Sequence, residues 1–256
     1  MKKLITPFEE VTGSSRTILI FGWVFILMGI WFGNSFGTVH LFPTPSQVLH
    51  GFGDLWSKGI VTELGSSISL CSQAIFYSLI ISLIVVFACS LPLIKPVGLF
   101  ISKLRYLPLT GISFYITILI NDARSIQVWV LVMFMSTFLI TSLLQMVKDI
   151  APEEFDHART LGCTRWEILL EVVIKGRLDY VIELVRQNLA IVWVMLVTTE
   201  SILVAAGGLG VLIKNGDRVG DNGKVIAVQI VIIFIGLTLD FLLTKIRKLI
   251  FRYSNY

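Results

Sequence analysis

The sequence predicts an all-α polytopic membrane protein with about six transmembrane helices. Hydrophobic residues fill 55% of the 256 positions and only 15% are charged. With a mean hydropathy of +0.84, this lies outside the composition of soluble domains. Uncharged runs at 17–39, 64–94 and 125–147 each exceed the roughly 20 residues that a helix needs to cross a bilayer. Lys and Arg also alternate in density: fifteen of 21 fall in the N-terminal segment, the 91–105 loop, the 148–177 loop and the tail. Four fall in the intervening loops, so both ends and the long polar loop are expected on the cytoplasmic side.

Taken in order, residues 1–16 form a polar N-terminal segment with Lys2, Lys3 and Arg16. The apolar run after it is longer than a signal-peptide core and lacks a small-residue cleavage site, so it reads as a first span. Thr44, Pro45 and Gln47 make a helix start, and Val48, Leu49, Phe52, Leu55 and Trp56 recur at helical spacing. That segment reads as an amphipathic surface helix, an interfacial anchor or a lining of the outer mouth. The second span lies within 64–94, and Pro92 and Pro96 end it before a basic loop of Lys95, Lys103 and Arg105. A third span at 106–121 has only 16 uncharged residues, with Pro108 and Gly111 allowing a bend. After a polar turn at 121–124, residues 125–147 supply the fourth.

Residues 148–178 are a polar island punctuated as two short helices. Pro152 suits a first helical position, and Glu153 and Glu154 place negative charge in the first turn. Gly162 can take the left-handed conformation that ends a helix, while Thr164 and Glu167 form a capping box for a second helix running towards Ile174. Phe155, Ala158 and Leu161 give the first helix a narrow apolar stripe, which a helix so short must pack against something. A solvated connector between two spans fits the same pattern.

The fifth span at 180–206 is interrupted by Glu183, Arg186 and Glu200. Glu183 and Arg186 are spaced to pair on one helix. Glu200 has no such neighbour and is expected either to face protein or water inside the membrane or to sit at a wet interface. Residues 207–223 read as a Gly-rich polar loop and 225–244 as the sixth span, closing a membrane domain of 17–244, with Asp240 near the end of that span. A basic tail occupies 245–256.

Several function classes are excluded. The basic residues are scattered rather than gathered into a nucleic-acid patch, and no G-x-x-x-x-G-K-[ST] loop is present. His40, His50 and His157 lie in separate segments without a metal-ligand pattern, and Cys71, Cys89 and Cys163 make no disulfide framework. No catalytic set can be singled out.

Asp156-His157-Ala158, three further residues and Gly162 resemble the E-A-A, three residues, G motif in the cytoplasmic loop of ABC-importer permeases. Thr44-Pro45-Ser46-Gln47-Val48 and Gly208-Leu209-Gly210 resemble signatures of the branch importing nitrate, sulfonates, taurine, bicarbonate and thiamine precursors. Asp156 and His157 replace the motif's Glu and first Ala, and Lys175 and Asp179 stand where the family has prolines. The resemblance implies a type I importer permease with a cytoplasmic coupling helix in a bacterial inner membrane. Glu154, Phe155, Asp156, His157, Ala158, Arg159, Leu161 and Gly162 would meet an ATPase subunit, present in two copies and binding ATP and Mg, so this chain needs no cofactor. A second permease, identical or different, and an extracytoplasmic substrate-binding protein complete the assembly, and the solute is small and of a class rich in anions. Glu200 would line the pathway or its gate. The competing reading is a self-contained secondary transporter or channel, which would place several ionisable groups at the midplane.

Overall fold

The computed structural model describes residues 13–34, 43–57 and 59–251. The N-terminal residues 1–12, the end of the expected first span and the last five residues lie outside it. All regular structure among the described residues is helical.

α1 (Gly13–Asn34) and α2 (Pro45–Ser57) precede α3 (Ile60–Ala88), the first of the long apolar helices. α2 begins as its sequence dictates: the Thr44 N–H donates to Gln47 Oε1 at 2.9 Å, and the Gln47 N–H donates back to Thr44 Oγ1 at 3.4 Å. It packs against the last helix of the chain with Val48 and Leu55 buried, while Leu49 and Trp56 point out. After α3 come the short α4 (Lys95–Lys103) and α5 (Leu109–Leu119), then α6 (Ala123–Lys148). The carboxylate of Asp122 caps α6 by accepting from the Ser125 N–H at 2.8 Å, and hydrogen bonding by the Ser125 side chain, then by its backbone, holds this carboxyl below the usual carboxylate range. α7 (Pro152–Thr160) and α8 (Arg165–Ile168) form the polar island. A wide π turn (Leu169–Ile174) and a 3-10 turn (Lys175–Arg177) carry the chain into α9 (Leu178–Ile202). α10 (Leu209–Val219) and α11 (Asn222–Ile250) complete it.

Four stretches are long and apolar enough to cross a membrane: α3, α6, the continuous run from α8 through α9, and α11. The third expected span is corrected in its helical length only, since α5 packs on the first half of α6 while α4 packs at the other end of that helix. α5 is an 11-residue helix, about 16 Å long, against a hydrocarbon core of about 30 Å. Pro108 before it and Ile120 after it are both extended, so the helix stops there and extended chain supplies the rest of the segment's reach beside α6. The Gly-rich segment 207–223 is also corrected, because most of it is the helix α10. α11 runs on through the first residues of the expected tail to Ile250.

The core centres on α6, packed between α3 and α9, with Leu131, Met135, Leu139, Ile140 and Leu143 essentially buried. Small polar residues let the helices approach. Ser78 Oγ and Ser82 Oγ on α3 are fully buried and donate to the Val132 and Ser136 carbonyls of α6 at 3.2 and 3.3 Å. Where no water is present this satisfies the hydroxyls and brings the backbones close. α9 is tied to α11 by charge. The expected Glu183–Arg186 pair forms at 2.6 Å, but Arg186 also reaches Asp240 at 2.7 Å and Arg247 reaches Glu183 at 2.7 Å. The sequence showed only the local half of this network, because the other half needs two helices side by side.

Candidate functional site

The polar island is a rigid elbow. α7 ends in a Schellman motif: the Gly162 N–H donates to the Arg159 carbonyl at 3.0 Å and the Cys163 N–H to the Ala158 carbonyl at 3.2 Å. Gly162 adopts φ +81°, as this motif requires. The next helix starts at once, and its capping box is complete: the Thr164 N–H donates to Glu167 Oε2 at 2.6 Å, and the Glu167 N–H to Thr164 Oγ1 at 3.4 Å. Both caps are local chemistry, and both match what the sequence predicts.

The apolar stripe of α7 divides between two directions. Ala158 is only 7% exposed and Phe155 is half-buried, because both face α8 and the π turn of this same chain. Leu161 is 71% exposed. The expectation that so short a helix packs its stripe against something is met at Ala158 and in part at Phe155, on the elbow's inner side, but not at Leu161. The outer surface consists of Glu153, Asp156, His157, Arg159, Thr160 and Leu161, with Asp156 and Arg159 paired at 2.8 Å.

Glu154 is engaged within the chain. Its carboxylate pairs with Arg177, at the 3-10 turn that leads into α9, and the Arg177 guanidinium lies 5.7 Å from the Tyr180 ring centroid. This links the start of α7 to the foot of a membrane-crossing helix across 23 residues of sequence. Arg177 carried no motif, and only its nearness to α9 could have drawn attention to it. The pair is partly exposed, so it is worth about 1 kcal/mol or less. Glu154→Arg is expected to loosen the elbow, and adding Arg177→Glu to restore it. Amide hydrogen exchange across 152–168 measures this, and no recovery in the double variant would show that the pair does not couple the elbow to α9.

The second site surrounds Glu200. α9 continues past this residue and buries it completely, so the expectation of a wet interface is not met. Its carboxylate accepts from Ser67 Oγ at 2.6 Å and from the Gly210 N–H at 2.8 Å. Ser67 Oγ in turn accepts from the Leu209 N–H at 2.9 Å, and the Gly208 N–H donates to Glu63 Oε2 at 2.5 Å. Two carboxylates and a serine thus hold the otherwise unsatisfied N–H groups at the start of α10, where the helix dipole favours negative charge. Nearby, Arg124 donates to the Ser66 carbonyl at 2.6 Å, and Gln127 Nε2 to the Leu203 carbonyl at 3.0 Å. Glu200 therefore has partners, as expected, and they come from α3, through Ser67, and from the first turn of α10, through Gly210. Glu63, Ser67, Arg124 and Gln127 could not be found from sequence, because none lies within a helical turn of Glu200.

Among the described residues no group of three or more His, Cys, Asp or Glu side chains is placed to hold a metal ion. The chain was compared with known proteins. A family model described as the binding-protein-dependent transport system inner membrane component matches residues 48–252. No curated protein is matched. A solved chain described as the crystal structure of an amino acid ABC transporter with histidines is similar, with a TM-score of 0.58 and 18% identity. The likeness covers 77% of this chain and 94% of that chain, and at this identity it concerns the fold alone.

Proposed function

Because the chain belongs to the family of binding-protein-dependent transport system inner membrane components, we propose that it is the permease subunit of an ATP-driven importer that couples to a separate ATPase through the 151–178 loop. The observation that carries this reading is the elbow: two capped helices, set between the apolar helices α6 and α9, with a polar outer rim and the apolar side chains of Leu161 and Trp166 exposed on it. A rim of that kind suits a protein contact. Two ATPase copies would hold ATP and Mg, and closure of their dimer would move two elbows together. A second permease and an extracytoplasmic binding protein would complete the pathway, and both termini would face the cytoplasm.

The solute is proposed to be a small anion, on the resemblance of Thr44–Val48 and Gly208–Gly210 to the nitrate, sulfonate and thiamine-precursor branch. Glu200 would serve the gate through the α10 hairpin that it holds rather than by touching solute. The self-contained transporter reading is disfavoured, because Glu200, Glu183, Arg186 and Asp240 are all engaged by protein partners.

Affinity purification of the tagged chain from its native membrane is expected to bring down an ATPase at equal stoichiometry. A chain that purifies alone and transports alone would overturn the proposal. In a background lacking Cys71, Cys89 and Cys163, an impermeant thiol reagent applied from outside is expected to label Asn215→Cys and to spare Glu153→Cys and Ile250→Cys. The reverse pattern would overturn the orientation.

A further inference from the structure

The short helix α4 packs by one side only. Gly98 is buried against Cys89, where an added Cβ would lie 2.0 Å from its Sγ, and Ile101 joins the cluster of Val86, Ile140 and Leu143. A second side is apolar yet open. Val97 and Phe100, and Leu93 in the turn that leads into the helix, recur at i+4, i+7 and i and are 53%, 64% and 88% exposed. A third side carries Lys95 and Lys103, both exposed, and Arg105 follows in the next turn. The segment is unbalanced in charge: residues 64–121 hold these three basic side chains and no Asp or Glu. Pro96, in the first turn, starts the helix where the chain leaves α3.

We propose that α4 is an interfacial anchor that lies in the plane of the membrane and binds anionic phospholipid. Its apolar side enters the acyl boundary at the ends of α3 and α6, while Lys95, Lys103 and Arg105 reach the headgroup phosphates. An amphipathic helix with separate packing, apolar and basic sides is suited to that position. Nothing in the segment repels a negative surface, and each basic side chain near one adds attraction. The proposal stands on the membrane-protein reading and does not depend on the importer role.

The test uses the purified protein, with the partners that accompany it, in nanodiscs of phosphatidylcholine containing one quarter phosphatidylglycerol. Native mass spectrometry reads the phosphatidylglycerol retained. Each neutralised basic side chain is expected to reduce retention about fivefold, so Lys95→Gln/Lys103→Gln/Arg105→Gln strips it, whereas Lys214→Gln/Arg218→Gln on α10 leaves it unchanged. Retention by the triple variant at the wild-type level overturns the proposal. If the triple variant unfolds early in pure phosphatidylcholine, the single variants Lys95→Gln and Lys103→Gln decide by the same readout. A photo-crosslinker placed at Phe100 is expected to give lipid adducts, and an adduct to a second permease copy or to an ATPase in their place overturns lipid as the occupant. Loss of retention without loss of ATPase co-purification separates this proposal from the functional one.

Discussion

Gly210→Ala is expected to destabilise the protein by about 3 kcal/mol or more, through overpacking and a lost buried hydrogen bond. An added Cβ would lie 2.1 Å from the Val197 carbonyl oxygen, 2.8 Å from Glu200 Cβ and 2.9 Å from the Ser201 nitrogen. These are backbone atoms or the root of a buried side chain, so α10 itself must move away from α9. That movement breaks the Gly210 N–H contact to Glu200 and the 3.0 Å bond from Ser201 Oγ to the Gly210 carbonyl, leaving a buried carboxylate short of a partner. Gly220→Ala is the control. Unlike Gly210 it has positive φ, but nothing lies within 4 Å of its added Cβ, so only about 1 kcal/mol of backbone strain is expected. Thermal unfolding in detergent should order the two variants clearly. A Gly210→Ala protein that melts with the wild type would refute the account of Glu200 as the holder of α10.

Ala158→Trp and Leu161→Asp are expected to fail in different ways. Ala158 is inside the elbow, so a tryptophan there separates α7 from α8 and melts the polar island. Leu161 faces out, and replacing it should leave the elbow folded while removing an apolar anchor worth about 1.5 to 3 kcal/mol, or roughly 10- to 100-fold in ATPase affinity. Gly162→Val falls between them. Nothing lies within 4 Å of its added Cβ, so within this chain it meets only the strain of φ +81°. Hydrogen exchange over 152–168, together with ATPase co-purification, distinguishes these cases. Normal coupling in Leu161→Asp would remove that residue from the partner contact.

The readings that survived contact with the structure concern chemistry within one turn of helix. Pro152, Gly162, Thr164 and Glu167 specify their caps with their own atoms and nearby backbone, and they were legible for that reason. The long spans were legible as well, because a membrane demands a run of apolar residues whatever lies beside it. Where length fell short, at α5, the pattern of charges still marked the segment but could not say that Pro108 and Ile120 would hold it to 11 residues. The Gly-rich stretch 207–223 misled for a related reason. Its glycines signal turns and close approach, and only the second applies at Gly210, whose neighbour is a carbonyl of another helix.

By itself, therefore, the sequence determined a helical membrane protein, the caps that start α2 and α8 and end α7, and a capped elbow between two of its membrane-crossing helices. Tertiary structure alone decided which side of α7 is spent on the elbow, that Glu154 reaches Arg177, that Glu183 and Arg186 recruit Asp240 and Arg247, and that Glu200 meets Ser67 and Gly210. The division follows from range. A cap or an apolar run is satisfied by neighbours a few residues away, whereas a buried carboxylate is satisfied by whatever residues packing brings to it, here from positions 133 residues before it and 10 after.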